Sequence, residues 1–357
     1  MTTISVLWEK EAVSSKLALA LSTSSRIPPA MPDSSPSSEP KVSVLMITYN
    51  HEKYIAQAIN SVLMQKTDFP YELIIGEDCS TDGTRNIVRE YARKYPEIVH
   101  AHLRERNIGA AENSRQNFWA SRGNYIALLE GDDYWTSPDK LQLQADLLDA
   151  HPETALCGHR TVWHREDGSS QDRTAPDLPA GFYDIERLLH RNFLHTSSAM
   201  FRRVIDDIRP DRYRHLPMGD IPLFVEVAHH GNICLLDETM GVYRINTGGS
   251  WTNRRGLEKA RQIRAMCQAF YDHVDPKYRL AARKGLFNGV YCLGLESFTA
   301  LQPDLTRQCL RECLKLSGTF EFIPEKLHLA FKGYCWWAFA ARRRLRSGGG
   351  PSKSRPA

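Results

Sequence analysis

The sequence NYIALLEGDDYWTSPDKL, residues 124–141, decides the fold class because it joins a buried strand to a cluster of acids. Its apolar run YIALL is typical of a strand that is covered on both faces. Glu130, Asp132 and Asp133 follow within four residues. In open α/β sheets ligands bind beyond the carboxyl ends of the strands, and clustered carboxylates suit Mg²⁺ or Mn²⁺. The stretch therefore predicts a ligand site, the alternative being an acidic loop that caps the next helix.

Three strand and helix units precede this stretch. Residues 42–47 (VSVLMI) and 71–75 (YELII) are apolar runs, each followed by a polar turn and by apolar residues at helical spacing. Residues 98–103 form a third strand, which leads through NIG at 107–109 into another helix. Strands that alternate with helices predict an α/β fold with a mixed, mostly parallel sheet flanked by helices. From residue 257 onward the periodicity is helical, so we expect an all-helical C-terminal extension.

Charge and missing motifs exclude several classes of protein. The 357 residues carry 46 basic and 42 acidic side chains, but six basic residues lie in the last sixteen, so the rest of the chain is near neutral. Nucleic acid is therefore not expected as a partner. No GxxxxGK[ST] or GxGxxG motif follows a predicted strand, which argues against a P-loop and a dinucleotide fold. Eight cysteines without a CxxC pair suit reduced thiols in a cytoplasmic protein.

Composition divides the chain into four predicted regions. Residues 1–40 form a disordered leader rich in Ser and Pro, 41–255 a catalytic domain, 256–346 a helical region and 347–357 a flexible basic tail. Residues 327–346 (LHLAFKGYCWWAFAARRRLR) are too interrupted to cross a membrane. Two interpretations stay open for them: peripheral contact with the inner membrane face, or a terminal helix docked on the catalytic domain.

Four motifs occur in a fixed order: TYN at 48–50, EDCSTDGT at 77–84, NIG at 107–109 and LLEGDDYW at 128–135. Together they resemble the GT-A nucleotide-sugar glycosyltransferases of family 2, over roughly residues 42–251. The resemblance implies a GT-A fold whose first two turns hold the nucleoside and whose acids hold a metal and the diphosphate. Glu130 departs from the commoner Asp, which leaves open which acid ligates the metal.

The resemblance also implies roles for individual residues. The implied donor-binding residues are Thr48, Tyr49, Asn50, Asp78, Asn107, Arg115, Glu130, Asp132 and Arg244. The implied ligands of Mn²⁺ or Mg²⁺ are Asp132, Asp133 and Asn246, the last at a position where family members often carry His.

Two further residues of the second half each allow two interpretations. The resemblance makes Asp220 the general base that deprotonates the acceptor hydroxyl, whereas its place before an apolar helix suits a simple cap. His195 opens HTSSAMF, residues 195–201, which predicts another strand. A lone His is more often structural than catalytic, so we expect a structural role for it.

The function implied by the resemblance is a metal-dependent inverting transfer of a sugar to a hydroxyl acceptor. The donor would be a UDP-, GDP- or dTDP-linked sugar, and the acceptor a glycan or glycolipid of bacterial cell-surface assembly. Two alternatives stay open: a sugar-1-phosphate nucleotidyltransferase, and a non-catalytic membrane-associated scaffold with the same fold. The first should carry a Gly-rich basic loop after the first strand, where this chain has TYNH at 48–51.

Overall fold

The computed structural model describes residues 39–165, 168–172, 178–208, 210–216, 218–245 and 255–317. The strands are β1 (Val42–Thr48), β2 (Tyr71–Glu77), β3 (Val99–Leu103), β4 (Tyr125–Glu130), β5 (Tyr134–Trp135), β6 (Thr154–Arg165), β7 (Ser170–Asp172), β8 (Gly181–Tyr183), β9 (Met200–Arg202) and β10 (Asn232–Ile245). The helices are α1 (Ile55–Leu63), α2 (Thr84–Lys94), α3 (Ala110–Ala120), α4 (Lys140–Ala150), α5 (Ile185–His190), α6 (Asp220–Ala228), α7 (Gly256–His273), α8 (Arg279–Thr299) and α9 (Pro303–Ser317).

The strands of the described residues form one mixed sheet in the order β3-β2-β1-β4-β9-β6-β10-β5. Strands β3, β2, β1 and β4 are parallel, while β9 runs antiparallel to both β4 and β6. Strands β7 and β8 pair with β6 and β10 respectively. The predicted mixed α/β sheet is confirmed, and its parallel part consists of the four strands that alternate with helices.

The centre of the sheet is buried on both faces, as the continuous apolar runs predict. In β1 every residue except Ile47 is buried, and in β4 every residue except the last is buried. Helix α1 places Ile55, Ile59 and Val62 against this sheet with no exposed surface. Burial of one such side chain stabilises the fold by roughly 1.5–3 kcal/mol. The core therefore holds β1, β2 and β4 rigidly side by side.

The register of these strands brings three turns together at one edge. Thr48 of β1 lies opposite Glu77 of β2, and Ile47 lies opposite Glu130 of β4. The ladder continues past the strands, since the N–H of Asp78 donates to Thr48 O at 3.0 Å and that of Gly131 donates to Ile47 O at 3.0 Å. The polar turns after β1, β2 and β4 are thus neighbours on a rigid support.

Helix α3 is fixed to the same edge by two buried asparagines. Asn113 Nδ2 donates to Gly76 O at 2.7 Å, and Asn117 Nδ2 donates to Met46 O at 3.0 Å. Arg104 donates to the oxygens of both amides, at 3.0 and 3.1 Å. Gly76 has no room for a side chain, because an added Cβ would lie 2.2 Å from Asn113 Oδ1 and 2.8 Å from Asn117 Nδ2.

We expect Gly76→Ala to lower the free energy of unfolding by about 1–3 kcal/mol, as in other overpacked cores. The methyl group would push both amides away from the strand carbonyls. Urea unfolding of the variant measures this. Gly83→Ala is a matched control, because the atoms its Cβ would meet belong to the exposed, flexible side chain of Glu52. An equal loss in both variants would contradict the predicted role of the asparagine pair.

The described chain divides into two compact units. One unit contains the sheet and α1 to α4. The other contains α5, most of α6 and α7 to α9, and it includes residues 185–192 and 209–226 as well as the chain from 245 onward. Its core packs Leu286, Phe287 and Val290 of α8 against Cys309 and Cys313 of α9. The predicted helical C-terminal region is confirmed for α7 to α9.

Several predictions concern residues outside the described ranges: the leader before residue 39, Asn246, residues 327–346 and the tail from 347. None of the helices in the described part of the chain is long and apolar enough to cross a membrane. The strand predicted for 195–201 is wrong over its first half, where Thr196–Ser198 form a 3-10 turn before β9. His195 favours this turn because its Nδ1 accepts the N–H of Ser197.

Candidate active site

The first turn, residues 49–51, is linked to the turn after β2. Asn50 donates its N–H to Ser80 Oγ at 3.0 Å, and its Oδ1 accepts the N–H of Thr81 at 2.8 Å. Asn50 has a φ of 55° and Cys79 a φ of 60°, a left-handed conformation that non-glycine residues adopt at a cost. Thr48 is buried, whereas Tyr49 is 42% exposed. The two turns form one preorganised surface, with the exposed ring of Tyr49 beside it.

Asp78 organises the loop before α3. Its Oδ1 accepts the N–H of Ile108 at 2.8 Å, and its Oδ2 accepts the N–H of Gly109 at 2.9 Å. Asn107 Oδ1 accepts the same Gly109 N–H at 3.1 Å. The structure therefore brings together Asp78 and Asn107, two residues of the predicted donor-binding set. The sequence resemblance assigns Asp78 to the nucleobase, and the contacts add a second task, which is to hold the 107–109 loop.

We expect Asp78→Asn to destabilise this loop by about 1–3 kcal/mol, because the amide nitrogen cannot accept the N–H that one carboxylate oxygen accepts. Amide hydrogen exchange of residues 105–110 should accelerate, and affinity for a nucleoside diphosphate should fall. Glu105→Gln serves as the control, since Glu105 is exposed in the same loop. Unchanged exchange at Ile108 and Gly109 would show that the carboxylate does not hold the loop.

Three carboxylates lie in residues 130–133, which we call the acidic turn. Asp133 is fully buried, its N–H donates to Glu130 O at 3.1 Å, and its Oδ1 accepts the N–H of Arg244 at 2.9 Å. Its Oδ2 is buried and has no hydrogen-bond partner among the residues that the structure describes. Burial raises the pKa of Asp133 well above the usual range, and the negative charges of Asp132 and Glu130 raise it further. Asp132 is partly exposed and so presents the more accessible carboxylate.

His51 faces the acidic turn from the first turn. Its Nε2 lies 3.9 Å from Asp132 Oδ2, and its Nδ1 lies 3.2 Å from Thr48 Oγ1. Burial lowers the pKa of His51, although Asp132 and Asp82 oppose the shift. Sequence reasoning did not single out His51 as a site residue. Its position three residues after the end of β1 is the signal that could have identified it.

Arg244 is held between two aromatic rings next to the acidic turn. Its guanidinium lies 5.0 Å from the ring centre of Tyr54 and 4.5 Å from that of Tyr134. It also donates to Asp132 O and to Gln57 Oε1. A guanidinium fixed in this way can present its remaining N–H groups to phosphate oxygens. The phosphate contact itself stays a prediction.

Arg115, which lies on α3, is paired with a carboxylate and an aromatic ring. Its guanidinium donates to both carboxylate oxygens of Asp207, at 3.1 and 2.6 Å, and stacks on Trp119 at 4.4 Å. Donor binding by Arg115 stays a prediction. The guanidinium would have to contact the donor as well as Asp207, or its ion pair with Asp207 would have to break.

His195 makes contacts of a structural kind. Its Nδ1 lies 2.9 Å from Ser197 Oγ, and its ring packs against Tyr243 with centroids 4.0 Å apart and planes tilted by 47°. Burial lowers the pKa of His195 to about 4, so the ring is neutral at pH 7. These contacts agree with the structural role that we expect for it.

The acidic turn fits a divalent cation, although no group of three or more His, Cys, Asp or Glu side chains in the described ranges is positioned to hold one. Mg²⁺ usually takes only one or two carboxylates and completes its shell with phosphate oxygens and water. Asp132 can supply an accessible carboxylate. Burial of the Asp133 carboxylate and the mutual repulsion of the three acids are unfavourable, and a nearby cation would offset both.

Asp220 is the first residue of α6, in the helical unit. The helix continues through Pro222, which is tolerated there because the first N–H groups of a helix have no intrahelical acceptor. The positive end of the helix dipole lies at this place. The side chain is partly exposed. A carboxylate can act as a general base. That role of Asp220 stays a prediction.

Comparison with known proteins identifies the family. The model of the family described as Glycosyl transferase family 2 matches residues 43–209. An uncharacterized protein of Mycobacterium tuberculosis is 39% identical over 248 residues, which cover 66% of this chain and 70% of that protein. The poly(ribitol-phosphate) beta-N-acetylglucosaminyltransferase TarS of Staphylococcus aureus is 33% identical over 119 residues, or 32% of this chain and 20% of TarS.

Two solved structures share the fold. The crystal structure of S. aureus TarS 1–349 in complex with UDP-GlcNAc has a TM-score of 0.52 at 18% identity, covering 77% of this chain and 89% of that one. The mannosyltransferase PcManGT of Pyrobaculum calidifontis, in complex with GDP-Man and Mn²⁺, has a TM-score of 0.52 at 17% identity, covering 88% and 90%. The predicted GT-A fold is confirmed. The chain belongs to glycosyl transferase family 2 and is a glycosyltransferase.

Proposed function

We propose that the protein transfers a sugar from a nucleotide-diphosphate donor to a hydroxyl group of a glycan or glycolipid, with inversion and with a divalent metal. The observation that carries this proposal is the edge of the sheet where the first turn, the turn after β2 and the acidic turn are adjacent. The names of relatives support a role in assembling bacterial cell-surface polysaccharide, since TarS acts on poly(ribitol-phosphate). Fold alone fixes neither donor nor acceptor.

The donor's nucleoside would bind at the first two turns. Tyr49 offers an exposed ring for the base, and the Asn50 turn lies beside it with Thr48 below. The loop held by Asp78 and Asn107 would close this pocket. The bound UDP-GlcNAc of TarS and GDP-Man of PcManGT support a nucleotide-sugar donor, and UDP-, GDP- and dTDP-linked sugars are the candidates.

The diphosphate would bind at the acidic turn. Mn²⁺ or Mg²⁺, when bound, would neutralise the charge that develops on the departing diphosphate. Asp132 is the proposed direct ligand because its carboxylate is accessible, while Asp133 holds the backbone of Arg244 against the turn and Glu130 adds to the negative field. Asn246 would ligate through its amide oxygen. The Mn²⁺ in the PcManGT complex supports a metal of this class.

The transfer would be a single displacement at the anomeric carbon. Asp220 takes the proton of the acceptor hydroxyl as its oxygen forms the new bond to that carbon. The bond from the carbon to the diphosphate oxygen breaks at the same time, and the nucleoside diphosphate leaves with the electron pair. Attack from the face opposite the leaving group inverts the anomeric configuration. A cytoplasmic location with peripheral membrane contact through residues 327–346 remains part of this proposal.

A panel of nucleotide-sugars tests the function. The protein is incubated with Mn²⁺ and UDP-, GDP- and dTDP-sugars, and release of nucleoside diphosphate is followed by mass spectrometry with and without EDTA. The proposal expects slow hydrolysis or transfer from one donor class, which EDTA abolishes. Formation of a nucleoside triphosphate and a sugar 1-phosphate after pyrophosphate is added would indicate a nucleotidyltransferase. Donor binding without turnover and without a metal effect would indicate a non-catalytic scaffold.

A further inference from the structure

Each face of β5 carries an aromatic ring with a cation over it. Strand β5 contains only Tyr134 and Trp135 and directly follows Asp133 of the acidic turn. Successive side chains of a strand point to opposite faces. Lys140 Nζ lies 3.9 Å from the Trp135 ring centre, and the Arg244 guanidinium lies 4.5 Å from that of Tyr134. The two cations therefore hold the strand from both sides.

Lys140 is an unusual residue for its surroundings. It is fully buried at the start of α4, and its Nζ has no hydrogen-bond partner among the described residues. A buried ammonium without an acceptor is costly, and an apolar side chain of similar volume would often be more stable there. The face of the Trp135 ring offers it the electrostatic attraction that a missing acceptor would otherwise supply.

Trp135 links this cation to the rest of the sheet. The ring is buried and its Nε1–H donates to Ser197 O at 2.7 Å, while its backbone pairs with Gly241 of β10. The next residue, Thr136, donates its N–H to Met240 O at 2.9 Å. A two-residue strand has few ladder bonds, so its position depends strongly on its side chains.

We propose that Lys140 is a positioning residue, whose buried ammonium on the Trp135 ring keeps β5 in place and with it the carboxylates of the acidic turn. The acidic turn is the proposed site of metal and diphosphate. The importance of Lys140 for catalysis therefore rests on the proposed function. Its test reads the local structure of the protein without donor or metal. A failure of the transfer assay and a failure of this inference are therefore separate results.

Amide hydrogen exchange of Lys140→Met tests the inference. The substitution keeps an unbranched apolar stem and removes the charge. The peptide that contains Glu130 to Trp135 should exchange about tenfold faster, while the melting temperature stays equal or rises. Lys94→Met is the matched control, because it removes an exposed lysine that lies 5.2 Å from the Tyr95 ring centre and should change neither value. Unchanged exchange at the acidic turn, or faster exchange spread over the whole sheet with a lower melting temperature, would overturn the inference.

The pH dependence of hydrogen exchange allows a second test, in which the wild-type protein is compared with Lys140→Met. Burial lowers the pKa of Lys140 to about 7. Below that pH the side chain is a charged ammonium, and above that pH it is neutral and loses its electrostatic attraction to the Trp135 ring. The protection of the acidic-turn amides against hydrogen exchange, corrected for the pH dependence of intrinsic exchange, should therefore fall as the pH rises through about 7.

Two groups that face Lys140 from β6 keep one charge state in that range, and the profile of Lys140→Met separates the titration of Lys140 from that of Asp133, whose pKa burial raises well above the usual range. Cys157 and His159 face Lys140 from β6, and burial raises the pKa of the thiol and lowers that of the imidazole to about 3. His195 is neutral for the same reason, with a pKa of about 4, and burial also lowers the pKa of His51. A flat profile from about pH 6 to 8 would overturn the inference.

Discussion

Asp132→Asn is expected to lower the rate of sugar transfer by about a thousandfold, because it removes the accessible carboxylate of the acidic turn. The amide has the same shape and can still contact His51, whose Nε2 lies 3.9 Å from Asp132 Oδ2. The fold should therefore be retained. Loss of the charge weakens the binding of a hard cation and, through it, the stabilisation of the departing diphosphate. Steady-state rates at increasing Mn²⁺ measure the effect.

A matched control separates this effect from general electrostatics. Asp139 is an exposed acid in the same segment of the chain. Asp139→Asn removes the same charge and should leave the rate within about twofold of wild type, as most surface substitutions do. Asp132→Asn at wild-type rate would remove the acidic turn from the mechanism.

Asp220→Asn is expected to lower kcat by about a thousandfold while the donor KM stays close to the wild-type value. An amide at the start of α6 can still occupy the helix terminus, but it cannot accept the proton of the acceptor hydroxyl. The two kinetic constants distinguish the interpretations of this residue. A simple cap would lower the free energy of unfolding and leave kcat nearly unchanged.

Asp211→Asn provides the control for this variant. Asp211 is an acid of the same helical unit that is 85% exposed and pairs with Arg214 at 2.8 Å. Its loss should affect neither kcat nor stability appreciably. A wild-type kcat for Asp220→Asn would exclude the residue as the general base, and the reaction would need another proton acceptor.

The local parts of the site could be predicted from the sequence. The apolar runs at 42–47 and 71–75 specify buried strands, and the polar residues after them specify turns, because both signals depend on near neighbours in the chain. Parallel strands place those turns at one edge. The positions of Thr48, Asp78 and Glu130 near one another follow from this reasoning, and the strand register bears them out.

Long-range packing determines the parts that the sequence could not reveal. Asp132 and Asp133 are adjacent acids, yet one is partly exposed and the other is fully buried. The difference arises because β10 packs against the acidic turn, where the backbone N–H of Arg244 donates to Asp133. These two residues are 111 positions apart in the chain. The burial of Lys140 likewise depends on residues far along the chain, since Cys157 and His159 of β6 face it. No local pattern encodes such contacts, because they form only when distant segments pack.

Binding of a nucleoside diphosphate with and without Mn²⁺ tests the central claim most directly, which is that the acidic turn holds a metal and the diphosphate. Isothermal titration calorimetry of UDP and GDP into wild type and Asp132→Asn gives the coupling between metal and nucleotide. We predict that Mn²⁺ tightens binding of one nucleotide at least tenfold in wild type, about 1.4 kcal/mol, and has no such effect in Asp132→Asn. Equal affinity with Mn²⁺ and with EDTA, or an undiminished Mn²⁺ effect in the variant, would contradict the account.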